Sequence, residues 1–421
     1  YSAAAWESHL AKTAASAASA AAVRVRGAPR LHGHTKSGSS TTPPSVLRTL
    51  SSSSRRQNWS SSSSSASARR HNALIPRAGI KDALEELLLG NDLSSADAEA
   101  ALEDLIANPS PESTAAFMVL MRAKGETADE VAGLVRAISK HSLKVPLIST
   151  DVVDIVGTGG DGMSTVNIST GATVLTAAAG VKVAKHGGRS VSSKCGSADV
   201  IEAMGIAAEL GPAGVARCVE EAGVGFMFAP VYHPAFKHVA PVRKALGLRT
   251  AFNMIGPMLN PSGCQRGVIG VWDTTVMRLM ADSLANLGAS KCVVVNAGGI
   301  DELTPVCDAT VVEINGADSI KEYTVRPEDY DIKKCTIEDL VGGERELNAR
   351  MLQDAFGGEK GPVAEALIFN AGFAVAMAEN SPVSSPLEGV ALVREVQESG
   401  KALETLEKWR TLSQEEKAKE E

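Results

Sequence analysis

The chain has 421 residues, 44 % of them apolar and 22 % charged, with a formal net charge of −7; that is room for two or three domains with the composition of a globular protein. No run of roughly eighteen apolar residues occurs, which argues against a membrane-spanning helix. The six cysteines show neither a CxxC nor any paired spacing, which argues against a zinc site or a disulfide framework and for reduced thiols in a core.

The charge is unevenly divided. Residues 1–78 carry eleven Lys or Arg against a single acid, Glu7, which leaves −17 on the rest. Stretches such as "TAASAASAAA" and "SSSSRRQNWSSSSSSASARRH" lack the spaced apolar residues that offset chain entropy, so the segment is expected to be disordered. Ser-rich, Arg-bearing and acid-poor composition reads as an organellar transit peptide. Its Ser and Ala bias favours a plastid, with processing between Ser65 and Gly79 and a stromal mature protein. The competing reading is a disordered basic tail that binds nucleic acid through its arginines.

From residue 79 to 148 the periodicity predicts a small helical domain. "IKDALEELLLG" places Ile80, Leu84, Leu87 and Leu88 on one helical face and stops at Gly90. "SSADAEAALEDLIANP" opens with Ser94 and Asp97 in capping-box spacing and ends before Pro109. "SPESTAAFMVLMRAKG" and "TADEVAGLVRAISKH" follow, the latter capped by Thr127 with Glu130 three residues on. From 149 to 421 strands and helices alternate: Val152 to Val156, "STGATVLTAAAG", "VKVAKHG", "SADVIEAMG", "RGVIGVW", "TVMRLMADSLANLG", "SKCVVVNAGG". This predicts an α/β domain with a mostly parallel sheet flanked by helices, whose ligands sit beyond the carboxyl ends of the strands.

Three loops at such strand ends carry the chemistry. In "GTGGDGMSTVNIST" the glycines 157, 159, 160 and 162 give backbone freedom, while Thr158, Thr165, Asn167, Ser169 and Thr170 gather hydrogen-bonding groups at a helix start. That is a cradle for phosphate or pyrophosphate, with neither the Walker A nor the dinucleotide spacing. Asp161 within it would repel a bare phosphate and suits ribose hydroxyls, a backbone amide or a metal. The second loop, "KHGGRSVSSKCGSAD", brings Lys185, Arg189 and Lys194 together with Ser190, Ser192, Ser193 and Ser197, a local positive site in an acidic body. The third, "GGIDELTP", sets Asp301 and Glu302 side by side, hard oxygen donors of the kind that hold Mg²⁺ beside phosphates.

These motifs, with "FMFAPVYHPAFKHVAPVRKALGLRTAFNMIGPMLNP", make residues 80 to 410 resemble the anthranilate phosphoribosyltransferase family. The resemblance implies a nucleoside phosphorylase/phosphoribosyltransferase type of fold. A helical domain, with a later contribution from about 233–252, joins the α/β domain across a catalytic cleft, and a homodimer forms through the helical domain. It implies transfer of phosphoribose from phosphoribosyl pyrophosphate to the amine of anthranilate in tryptophan biosynthesis. Gly157, Gly160, Asp161, Thr165, Asn167, Ser169 and Thr170 would hold the donor. Lys185, His186, Gly187, Gly188, Arg189, Ser190, Val191, Ser192, Ser193 and Ser197 would close on it. Two Mg²⁺ ions are implied, one touching Ser169 and one on Asp301 and Glu302. Gly157, Gly188 and Arg243 would meet anthranilate, Arg243 through its carboxylate. The neutral aromatic amine needs no strong base, so no general base is assigned; His186 is a candidate for that role or for an orienting one. The family pattern reads Lys-His-Gly-Asn-Arg where this chain has "KHGGR", so Gly188 removes an amide that orients anthranilate. Two other readings compete: a fold-related pyrimidine nucleoside phosphorylase, whose spellings differ in the first and third motifs, and a non-enzymatic nucleic-acid-binding relative, against which the −17 body argues. No membrane partner is expected.

Overall fold

The computed structural model describes residues 79–190, 194–317 and 319–421. The transit-peptide reading of residues 1–78 and three loop positions expected to meet the donor, Val191, Ser192 and Ser193, lie outside the described residues. Four helices come first: α1 (Ile80–Leu88), α2 (Ser95–Ala107), α3 (Pro111–Lys124) and α4 (Ala128–Lys140). Gly90 ends α1 with φ 77°, and the Asn91 amide donates to the Glu86 carbonyl at 3.0 Å, a left-handed closure that glycine permits without strain. The apolar face of α1 is narrower than expected. Leu87 is buried, but Leu88 is 70 % exposed, because one further residue rotates a side chain about 100° away from the packed stripe.

Caps anchor the other helices. Ser94 Oγ accepts the Asp97 amide at 3.1 Å, and Thr127 and Glu130 form a reciprocal capping box. Glu130, fully buried, also accepts the Leu93 amide at 2.9 Å and pairs with Lys124 at 3.0 Å, so one carboxylate ties together the start of α2, the end of α3 and the start of α4.

The α/β part runs β1 (Asp154–Gly157), α5 (Ile168–Ala178), β2 (Val183–Gly187), α6 (Ser197–Ala203), α7 (Pro212–Ala222), β3 (Val224–Phe228), α8 (Ala229–Tyr232), α9 (Phe236–Leu246), β4 (Arg266–Gly270), α10 (Met277–Asn286), β5 (Lys291–Asn296), β6 (Ala309–Asn315), β7 (Ile320–Val325), α11 (Arg345–Phe356), α12 (Pro362–Met377), α13 (Pro386–Glu398) and α14 (Lys401–Glu420). The main sheet has the order β1-β4-β5-β6-β7, and β2 pairs with β3 beside it; a bridge from Val153 to Val183 links the two. The pairs β1–β4, β4–β5 and β2–β3 are parallel. An antiparallel arm, β5–β6–β7, extends one side. Its outer strand is mostly polar ("IKEYTV"), which is why the apolar alternation did not announce it.

Helix α12 is buried from Ala364 to Met377 and forms the apolar centre against which α5 and α13 pack. Residues of α9 and the turn after it (Val239, Val242, Ala251, Phe252) join the same apolar cluster as the four N-terminal helices. None of the six cysteines is in a disulfide, and among the described residues no helix is long and apolar enough to cross a membrane. Parallel pairing brings the carboxyl ends of β1, β2, β4 and β5 to one edge, and the three unusual loops open there.

Candidate active site

The glycine loop leaves β1 at Gly157. Gly159, Gly160 and Gly162 take φ of 69°, 79° and 77°, the left-handed region that glycine tolerates. Gly157 does not; its reason is close packing, since an added Cβ would lie 2.9 Å from Asp301 Cγ and closer still to Oδ2. Ser164, at φ 55°, is a non-glycine residue held in the same region within the loop. The Gly159 amide donates to Asp301 Oδ2 at 2.6 Å and the Met163 amide to Asp161 Oδ1 at 3.1 Å, the backbone-amide partner expected for Asp161. The Ser169 amide, at the start of α5, donates to Glu302 Oε1 at 3.2 Å.

Three carboxylates thus gather under the loop. Burial, then the Asp161 charge, pushes Asp301 up to about 7; burial, then the Asp301 charge, pushes Glu302 up to about 8. Lys185, almost fully buried, donates to the Ile155 carbonyl and faces both Glu302 and Asp154. Desolvation lowers its pKa against the pull of those acids, and Asp154 is itself raised to about 6 by burial. Buried like charges held only by one cation and by amide donors are short of positive charge, and a divalent cation fits there. Among the described residues no group of three or more His, Cys, Asp or Glu is arranged to hold a metal ion alone; the donor set suits an ion completed by phosphate oxygens and water, as Mg²⁺ prefers.

The second loop is folded back on itself. Gly196 passes so close to Ser190 and Arg189 that a Cβ could not fit, whereas a Cβ on Gly188 would meet nothing within 4 Å; Gly187 packs on Phe226. The Ser190 amide reaches Asp199 at 3.4 Å, and Thr170 Oγ1 joins Ser197 Oγ at 3.1 Å. Two expected donor contacts are otherwise engaged. Arg189 is ion-paired with Asp199 and Glu202 of α6 and with Glu209 of the turn after it, and stacks over Phe228. Asn167 donates to the Cys195 carbonyl at 3.0 Å and accepts from Asn348 at 2.9 Å, so its amide fastens the first loop to the second. Thr165 pairs through its backbone with Val341.

His186 is buried with its Nε2 3.0 Å from His233 Nε2, and His233 Nδ1 lies 2.7 Å from Ser142 Oγ. Burial, then the neighbouring imidazole, depresses His186 to about 3, and burial depresses His233 to about 4.

A cleft of about 560 Å³ is lined by the glycine loop, Lys185 to Ser190, Cys195 to Ser197, Asp301, Glu302, Arg243, Arg249 and Asn253. Arg243, on α9, has no hydrogen-bond or ion-pair partner among the described residues, and burial lowers its pKa. An unpaired, half-buried guanidinium facing a cleft is a carboxylate site in waiting. Sequence reasoning missed Arg249 and Asn253. A signal was present for the arginine: from Ala222 to Trp272 the chain has no Asp or Glu at all, so its cations have no acid close in sequence.

Residues 81–142 match the glycosyl transferase family, helical bundle domain, and residues 149–403 the glycosyl transferase family, a/b domain. The chain is 43 % identical over 333 residues to the anthranilate phosphoribosyltransferase of Rubrobacter xylanophilus, covering 78 % of this chain and 96 % of that one. It is 40 % identical over 338 residues to that of Methanosarcina acetivorans, covering 80 % and 90 %. The crystal structure of the Thermus thermophilus anthranilate phosphoribosyltransferase superposes with a TM-score of 0.75 at 40 % identity, over 79 % of this chain and 99 % of that one. The Saccharomyces cerevisiae enzyme in complex with PRPP and Mg superposes with a TM-score of 0.72 at 25 % identity, over 80 % and 98 %.

Proposed function

The chain belongs to the anthranilate phosphoribosyltransferase family, and from that premise we propose how its residues divide the reaction. The enzyme transfers phosphoribose from phosphoribosyl pyrophosphate to anthranilate in tryptophan biosynthesis. The observation that carries the assignment of roles is the cleft itself, lined together by a positive-φ glycine loop, two raised carboxyls and an unpaired arginine.

The glycine loop and the first turn of α5 receive the donor through amides and hydroxyls, with Gly157, Gly160, Asp161, Thr165, Ser169 and Thr170 nearest it. From the second loop, Lys185 to Gly188, Ser190 and Ser197 line the cleft beside it. Asp301 and Glu302 would hold Mg²⁺, and Ser169 would meet a second ion. Held there, Mg²⁺ would supply positive charge against the departing pyrophosphate. Arg243 fixes the anthranilate carboxylate, which turns the amine toward the anomeric carbon; positioning then does most of the work. No general base is assigned to the attack, because the aromatic amine is already a neutral nucleophile, and His186 Nε2 is engaged by His233.

Exposed Leu88 and Leu89, 70 % and 75 % accessible, support a homodimer through the helical part. The basic, Ser-rich segment 1–78 supports import into a plastid, and the acidic body speaks against a nucleic-acid partner.

Steady-state turnover with phosphoribosyl pyrophosphate, Mg²⁺ and anthranilate, measured beside Arg243→Ala, tests the assignment. A rise in the KM for anthranilate of about tenfold or more, with the KM for the donor little changed, is expected. A variant whose donor KM rises instead refutes the placement of the acceptor.

A further inference from the structure

Arg249 is the second arginine in the cleft that meets no carboxylate within ion-pair distance among the described residues. Its surroundings are specific. Nη2 donates to the Gly160 carbonyl at 2.7 Å, and the guanidinium lies over the Trp272 ring, 4.7 Å from its centroid. The residue follows Gly247, the left-handed end of α9. The next turn is fastened to the helical part, where the Ala251 amide donates to Glu126 Oε1 at 3.0 Å and Phe252 is buried among helical residues. Arg249 therefore reaches from a segment anchored on the helices to the carbonyl of a loop glycine held at φ 79°.

A planar guanidinium with five N–H donors uses one on Gly160 and its face on Trp272. A loop of three positive-φ glycines has little stiffness of its own, and here an outside donor fixes the middle one. We infer that Arg249 is a positioning residue for the phosphoribosyl donor: stacked on Trp272, it holds the Gly160 carbonyl and so sets the shape of the loop that receives the pyrophosphate. It also makes Trp272 a fluorescent reporter of that loop, since an adjacent cation perturbs indole emission. The inference rests on the donor assignment proposed above.

The test uses the full chain as wild type, Arg249→Ala, Arg249→Lys and Trp272→Phe. Arg249 is exposed, so its variants should melt within about 2 °C of wild type. Arg249→Ala is expected to raise the KM for phosphoribosyl pyrophosphate about ten- to a hundredfold while the KM for anthranilate moves less than about threefold. Arg249→Lys keeps the charge but has neither the fork nor the stacking face, and should stay at least about fivefold above wild type. Titrating phosphoribosyl pyrophosphate and Mg²⁺ without anthranilate should change wild-type tryptophan emission. The change should vanish in Trp272→Phe, although Trp6, Trp59 and Trp409 remain. Both KM values rising together, neither rising, or full recovery by lysine overturns the positioning role. A wild-type chain that turns over neither substrate overturns the functional reading, and this inference with it.

Discussion

Replacing Gly188 by Asn probes the acceptor side of the cleft most cleanly. A Cβ at this position meets no atom within 4 Å, and Gly188 is not among the glycines with positive φ, so the side chain enters open space without backbone strain. The substitution removes the freedom of one glycine from the unfolded chain, which alone favours the folded state by about 0.4–1 kcal/mol. A carboxamide reaching into the cleft can make one new hydrogen bond to anthranilate, roughly 1–3 kcal/mol for a group otherwise left without a protein partner. That predicts a KM for anthranilate lowered by about 5- to 150-fold, with the donor KM within about twofold and the melting temperature unchanged or slightly raised. Steady-state kinetics over both substrates and a thermal melt are the assays. A raised anthranilate KM, or a clear loss of stability, would refute the reasoning, because either result means the loop has no open space beside residue 188.

Gly157→Ala should do the reverse, since its methyl would collide with the Asp301 carboxylate and break the Gly159 amide bond. A loss of about 1–3 kcal/mol in stability and a fall in kcat/KM of at least about a hundredfold are expected; near-normal turnover would show that Asp301 has room to move. Asp301→Asn removes one of two crowded carboxyls. The protein without Mg²⁺ should be as stable as wild type or more so, while the rise in melting temperature on adding Mg²⁺ and phosphoribosyl pyrophosphate shrinks; an undiminished rise would place the ion elsewhere. His233 titrates near 4 in the folded protein, depressed by burial from 6.5. Its contribution is therefore complete above about pH 6.5 and is lost as pH falls toward 4, where the unfolded chain takes a proton that the folded one refuses. Denaturant melts of wild type and His233→Asn should differ in slope by about 1.4 kcal/mol per pH unit across that window, wild type being the steeper. Parallel curves would mean that His233 is not held neutral.

Much of this molecule was decided locally. Helix starts at Ser94 and Thr127, the stop at Gly90 and the strand–loop–helix units are written in neighbouring residues, because caps, turns and periodicity act over one to four positions. The glycine loop was likewise recognisable in the sequence, as a short segment whose composition is hard to explain without a ligand; the Asp301–Glu302 pair took its meaning from the phosphate-like loops before it, and Arg243 was read from the family resemblance alone. What the chain alone did not disclose are contacts made across long separations. Gly157 is a glycine because Asp301 arrives beside it; Arg189 and Asn167 are engaged by Asp199, Glu202, Glu209, Cys195 and Asn348; Arg249 reaches Gly160 and Trp272 only after α9 returns to the helical part. Composition announces that charges and donors are present, but which of them face the cleft depends on which partners folding brings within hydrogen-bond distance, and that is settled only when the tertiary structure closes.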